Sequence, residues 1–242
     1  MKKYSVIAIF IASLLMSACA YQPVSQNTRH YSNQKRLSLA QTHLLLGQLN
    51  LTKSQLDQIE DKDRNREYWR LLSLYWLSVE NEDEALEIHL QALKRYPKDD
   101  FLLNNLGVLL GQRKQWVEAC DVFQKASMEG LSARQSVWIN LSRCRMRQDD
   151  VKNASKDLNR AKEIADLPLI GLMTELNLVL IQGNLSRARL ILNNIQAETK
   201  NTQNMSYFDE YNCLSRQVIA RETDLTIYSS ASTSICLDSS RY

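Results

Sequence analysis

Turn-forming residues are scarce in this chain, with six glycines and three prolines among 242 residues. Folds that reverse direction every few residues need more of them, so the shortage argues against many short strands and favours long helices. No stretch carries the period-two alternation of a half-buried strand for longer than chance gives. An excess of one charge is missing as well. The formal charge is +3, and it falls to +1 once Lys2 and Lys3 are set aside with the leader described below. That balance argues against nucleic-acid binding through bulk charge. Histidine occurs three times, as His30, His43 and His89. None stands at metal-ligand spacing from another His, a Cys or a pair of carboxylates. There is no glycine-rich phosphate loop, no nucleophile elbow and no His-Glu-x-x-His sequence. The acidic run from Glu80 to Glu84 falls at a turn and helix start, where capping and the helix dipole account for it. The expectation is a chain with no catalytic residue, cofactor, metal or small-molecule substrate.

The chain has an interval instead. Ala85, Ala119, Ala154 and Ala188 are separated by 34, 35 and 34 residues. A second alanine follows the first three by seven residues, at Ala92, Ala126 and Ala161. A 34-residue period is that of the tetratricopeptide repeat, a helix–turn–helix unit that stacks on its neighbours. Two antiparallel helices approach closely only where side chains are short. The expected fold is all-α: a right-handed solenoid of about six units, near 33–65, 66–99, 100–133, 135–168, 169–202 and 209–242. In the best-formed unit Leu103, Leu106, Gly107, Leu110, Trp116, Ala119, Phe123 and Ala126 fill frame positions 4, 7, 8, 11, 17, 20, 24 and 27. The first and last units match the frame less well, as terminal repeats do. His89 at position 24 and the four tryptophans (Trp69, Trp76, Trp116 and Trp138) all fall on core positions of the frame.

The apolar run Val6 to Leu15 has ten residues, half of the roughly 20 that a spanning helix needs. With Met1-Lys2-Lys3 before it, the run has the form of a secretory leader. It ends in Met16-Ser17-Ala18-Cys19, which resembles the bacterial lipobox. That resemblance implies cleavage after residue 18 and acylation of Cys19; ordinary secretory cleavage is the alternative. Two or more acyl chains anchor a protein stably without spanning the bilayer. Ala20 is not the Asp that marks inner-membrane retention in bacterial lipoproteins. The implied location is the periplasmic face of the outer membrane. Residues 19–32 are polar and aperiodic and are expected to form a flexible tether, with the repeat domain over 33–242.

Four further cysteines remain: Cys120, Cys144, Cys213 and Cys236. An oxidising periplasm allows two disulfides with three connectivities. The frame puts Cys120 on a second helix and Cys144 on the next first helix, at faces that meet, and so favours sequential pairing. Four buried free thiols are the alternative.

Stacked repeats offer a groove lined by their first helices. The frame assigns to it Arg70, Leu74, Leu77, Phe101, Asn104, Asn105, Val108, Ile139, Asn140, Arg143 and Met146. The amides suit the backbone of an extended peptide, and the apolar groups supply area. Ordinary solvated helix and packing between repeats is the alternative for about half of them.

The run Asn104-Asn105-Leu106-Gly107-Val108-Leu109-Leu110 resembles the Asn-Asn-Tyr-Gly segment of the PilF/PilW family, the type IV pilus biogenesis lipoproteins called pilotins. The likeness continues through Trp116-Val117-Glu118-Ala119, Asn140-Leu141-Ser142-Arg143-Cys144 and Ala188-Arg189-Leu190. Arg36-Leu37-Ser38-Leu39-Ala40 and the lipobox also match. Leu106 stands where the family commonly has Tyr, and Gly111 where many members have a cysteine. The resemblance implies a monomeric, lipid-anchored scaffold. Its partner would be the outer-membrane secretin, whose assembly or localisation it promotes, or other pilus-assembly proteins. Lipoproteins of the tight-adherence pilus system, the TadD type, are similar too and give the alternative reading.

Overall fold

The computed structural model describes residues 26–129, 134–199, 208–223 and 236. The leader, Cys19 and most of the last unit's second half lie outside them. All regular structure among the described residues is helical, in two compact units divided after Arg64.

The first unit is a helical hairpin of α1 (Gln26–Leu45) and α2 (Leu49–Asp57), followed by a single 3-10 turn at Asp61–Asp63. Leu37, Ala40, Leu56 and Ile59 are its buried apolar residues. The tether expected over 19–32 is shorter than that, because α1 already runs through residues 26–32. No glycine or proline stands between Pro23 and Gly47 to stop it.

The second unit holds four helix pairs and one further helix. The pairs are α3 (Arg66–Ser78) with α4 (Glu82–Arg95), α5 (Asp100–Gln112) with α6 (Trp116–Met128), α7 (Gln135–Arg147) with α8 (Val151–Ile164), and α9 (Leu169–Ile181) with α10 (Leu185–Thr199). The last helix is α11 (Phe208–Glu222). Each first helix packs on its own partner, and α3, α5, α7 and α9 form a row in which each touches the next. This is a tetratricopeptide-repeat solenoid.

The small residues do what the interval requires. Ala85, Ala92, Ala119, Ala126, Ala154, Ala161 and Ala188 are all fully buried. Gly107 lies so close to the Phe123 ring that a Cβ there would sit 2.6 Å from it. Ser142, in the corresponding place of the next unit, donates from Oγ to the Ala154 carbonyl across the pair (2.8 Å).

Helix ends are fixed locally. Asn65, Asn81, Asp99, Asp150 and Asn184 each accept the backbone N–H three residues ahead, capping α3, α4, α5, α8 and α10. The turn inside every pair carries one left-handed residue: Gly47, Glu80, Lys114, Asp149 and Gly183. All five occupy frame position 15. At Gly47, Lys114, Asp149 and Gly183 the flanking N–H groups return to the carbonyls three and five residues back, the bonding that closes a helix C-terminus.

Two disulfides tie the second unit. Cys120 on α6 is joined to Cys144 on α7, and Cys213 on α11 to Cys236, with a Cα–Cα distance of 5.5 Å in each. Cys236 is buried with Met173, Leu176, Leu192, Leu214 and Val218 in the core of the last repeat.

Candidate partner-binding face

The row of first helices divides into an open part and a closed part. On α3 and α5, Leu74, Leu77, Phe101 and Val108 are half-buried. Asn104 and Asn105 keep 8% of their surface. Asn140 on α7 is half-buried and donates from Nδ2 to Asn104 Oδ1 (3.0 Å), which links neighbouring units through their amides. The Nδ2 of Asn105 is buried and has no partner among the described residues. An extended chain laid along this face would meet the half-buried Asn140 amide beside apolar side chains.

Arg70 is on this face but is not free. Its guanidinium donates to both Asp99 oxygens (3.0 and 3.1 Å) and stacks over the Phe101 ring at 5.4 Å. Asp99 also caps α5, so one buried carboxylate fixes a helix start and an arginine together. Arg134, just before α7, reaches Asp100 (3.2 Å) and lies over the same ring at 5.1 Å. Asp99, Asp100 and Arg134 thus complete a chain of ion pairs with Arg70 that runs from α3 to the start of α7. Sequence reasoning missed them. Asp99 was legible as a cap two residues after Pro97, but nothing local shows that it also faces Arg70, 29 residues earlier.

Three predicted groove residues are misplaced by the frame. Ile139 keeps 1% of its surface and Met146 3%, both in the core between α7, α8 and α9. Arg143 is fully buried. It makes two bonds to Glu210 on α11 (2.8 and 2.9 Å) and a third to Thr174 on α9 (3.3 Å). The reason is that α11 packs beside α9 and brings Glu210 over the position that is open on α5. The frame treats each unit alone and does not see this. Trp69 is buried, but Trp76, Trp116 and Trp138 are half-buried rather than core. Arg147 and Arg160 lie over Trp116 and Trp138, 3.8 and 4.7 Å from the ring centroids.

Two titratable groups inside the repeats depart from their ordinary range. His89 on α4 is fully buried, its Nδ1 bonded to the Ala85 carbonyl (2.7 Å). Burial holds its pKa down, and the carbonyl opposes this only in part. Asp157 on α8 is pushed up to about 6 by burial, against the pull of Arg145 and Arg160. Among the described residues no group of three or more His, Cys, Asp or Glu is placed to hold a metal ion.

No family model matches the chain. It is 33% identical over 67 residues to the RNA polymerase-associated protein CTR9 of Caenorhabditis elegans, a match that covers 28% of this chain and spans 6% of that protein. Among solved structures it is similar to PilF of Pseudomonas aeruginosa, with a TM-score of 0.64 and 16% identity over 86% of this chain and 96% of that one. PilW, a widely conserved type IV pilus biogenesis factor, gives a TM-score of 0.62 and 16% identity over 84% of this chain and 96% of its own. A thermophilic tetratricopeptide-repeat protein of Thermus thermophilus gives 0.58 and 15% over 79% and 99%. The fold is the tetratricopeptide-repeat fold of the PilF and PilW type.

Proposed function

We propose that the chain is a pilotin: an acylated, non-enzymatic scaffold at the periplasmic face of the outer membrane that binds the secretin of a type IV pilus and promotes its assembly. The observation that carries this reading is the open face of α3 and α5. Leu74, Leu77, Phe101 and Val108 are half-buried on these helices, beside the Asn104–Asn140 amide pair that links α5 to α7, whereas Ile139, Arg143 and Met146 of α7 are buried. The half-buried Asn140 amide is the polar group this face could offer to the backbone of a bound segment. The fold shared with PilF and PilW over most of all three chains supports the reading, as does the lipobox-like Met16-Ser17-Ala18-Cys19. Acylation at Cys19 would hold the chain at the membrane in which a secretin assembles. A scaffold for another envelope machine, such as a tight-adherence pilus, would use the same face. Deletion of the gene separates the two. The pilotin reading expects fewer surface pili and fewer secretin multimers; normal multimers in a clean deletion overturn it.

A further inference from the structure

The hairpin of the first unit has a charge pattern that the partner-binding face does not use. The first acidic residue in the chain is Asp57. Between Cys19 and Leu56 stand Arg29, Lys35, Arg36 and Lys53, with no Asp or Glu. The acids of this unit, Asp57, Glu60, Asp61 and Asp63, are confined to the end of the hairpin away from its turn.

The outer face of α1 is apolar as well as basic. Tyr31, Lys35 and Leu39 recur at four-residue spacing on the side opposite the buried Leu37 and Ala40, and Leu45 and Leu46 follow at the helix end and turn. Tyr31 is 71% exposed, Leu45 81% and Leu46 66%. The two leucines stand at the turn, and Leu51, also exposed, follows in the first turn of α2. Arg36 donates to Gln58 and Lys53 pairs with Asp57; Lys35 is exposed and makes no ion pair among the described residues.

We infer that this stripe is a membrane-contact surface and that its ligand is an anionic phospholipid bilayer. Aromatic, lysine and leucine side chains on one helix face are the composition of an interfacial element. The acid-free charge complements anionic headgroups, each nearby cation adding to the attraction. A second copy of the chain would instead set Lys35 against another basic stripe. The hairpin would lie against the bilayer through its own side chains, orienting the unit where an acyl group alone gives only attachment. Helix α1 begins seven residues after Cys19, so a lipid there would hold the stripe close to the surface. The inference depends neither on that lipid nor on the pilotin reading.

The test uses the chain from Ala20 on, which keeps every described element and carries neither leader nor acyl group. It is floated with vesicles of phosphatidylcholine, alone or mixed with phosphatidylglycerol. Binding is expected to the mixed vesicles only, and to weaken as salt rises. Lys35→Gln should lower the partition about fivefold. Leu45→Ser with Leu46→Ser should lower it about tenfold or more. These residues are exposed, so an unchanged circular dichroism spectrum shows that the variants fold. No binding to mixed vesicles overturns the inference, as does equal binding by the leucine variant. Concentration-dependent self-association that the leucine variant abolishes, with no vesicle binding, assigns the stripe to a second copy and overturns it too.

Discussion

His89 and Asp157 give the repeats two opposing pH dependences. His89 is buried and its pKa is held below its ordinary value. Its contribution is present above the unfolded pKa of about 6.5 and is lost as pH falls through the folded value. Asp157 runs the other way. With a folded pKa of about 6 against an ordinary 3.8, its contribution is complete below 3.8 and is lost as pH rises through about 6. Melting from pH 7 to pH 4 should therefore separate them. His89→Phe, which places a ring where Phe123 stands in the next unit, should lose less stability than the parent on acidification. Asp157→Asn should gain less. Parallel curves for parent and both variants would contradict the assignments. Arg143 and Glu210 make a second residue-scale case. Removing one member of a fully buried pair strands the other charge, at a cost of about 3–5 kcal/mol. Glu210→Ala should show that loss on denaturant unfolding, and Arg143→Met with Glu210→Leu should recover most of it. A single variant as stable as the parent would show that the pair is not closed in solution.

The helix pairs share a backbone device that their sequences conceal. Position 15 is left-handed in all five described turns, yet only two of its occupants are glycine. Asp149 is tolerable there, whereas Glu80 and Lys114 carry a side chain that opposes the conformation by about 1 kcal/mol. Lys114→Gly should therefore stabilise the domain by roughly 0.5–1 kcal/mol, read as a rise in denaturant midpoint. A fall would mean that the Lys114 side chain makes a compensating contact. The alanine interval located the four pairs of the second unit because burial between two helices demands a small residue. Position 15 was not legible, because the turn is fixed by hydrogen bonds that many residues can make. The start of α1 was missed for a related reason, since a polar segment without breakers continues a helix that apolar periodicity does not mark. The Cys120–Cys144 bond belongs to this scale too. It joins α6 to α7 across the one junction where the alanine interval lengthens to 35 residues. Replacing both cysteines with serine should cost about 3 kcal/mol in the loop-entropy account. Recovery of four alkylatable thiols from the non-reduced protein would contradict both disulfides.

At the scale of the molecule, the frame placed the helix pairs but not the burial of every first-helix side chain: Ile139 and Met146 belong to the core between α7, α8 and α9. Leu74, Leu77, Phe101, Val108 and Asn140 are half-buried on α3, α5 and α7, which stack in regular succession, and Asn104 and Asn105 are buried. Arg143 has the same frame position as Val108, but α11 covers it through Glu210. The closed end comes from a pairing 67 residues apart, which no local pattern announces. The scaffold reading therefore reduces to one spatial claim: the partner is held on the open face of α3 and α5. Photo-crosslinking in cells from residues 74 and 108 tests it, with residue 190 on the outer surface of α10 as the reference. The account predicts that a secretin subunit is captured from positions 74 and 108 and not from 190. Capture of no secretin from either, or equal capture from all three, would contradict it.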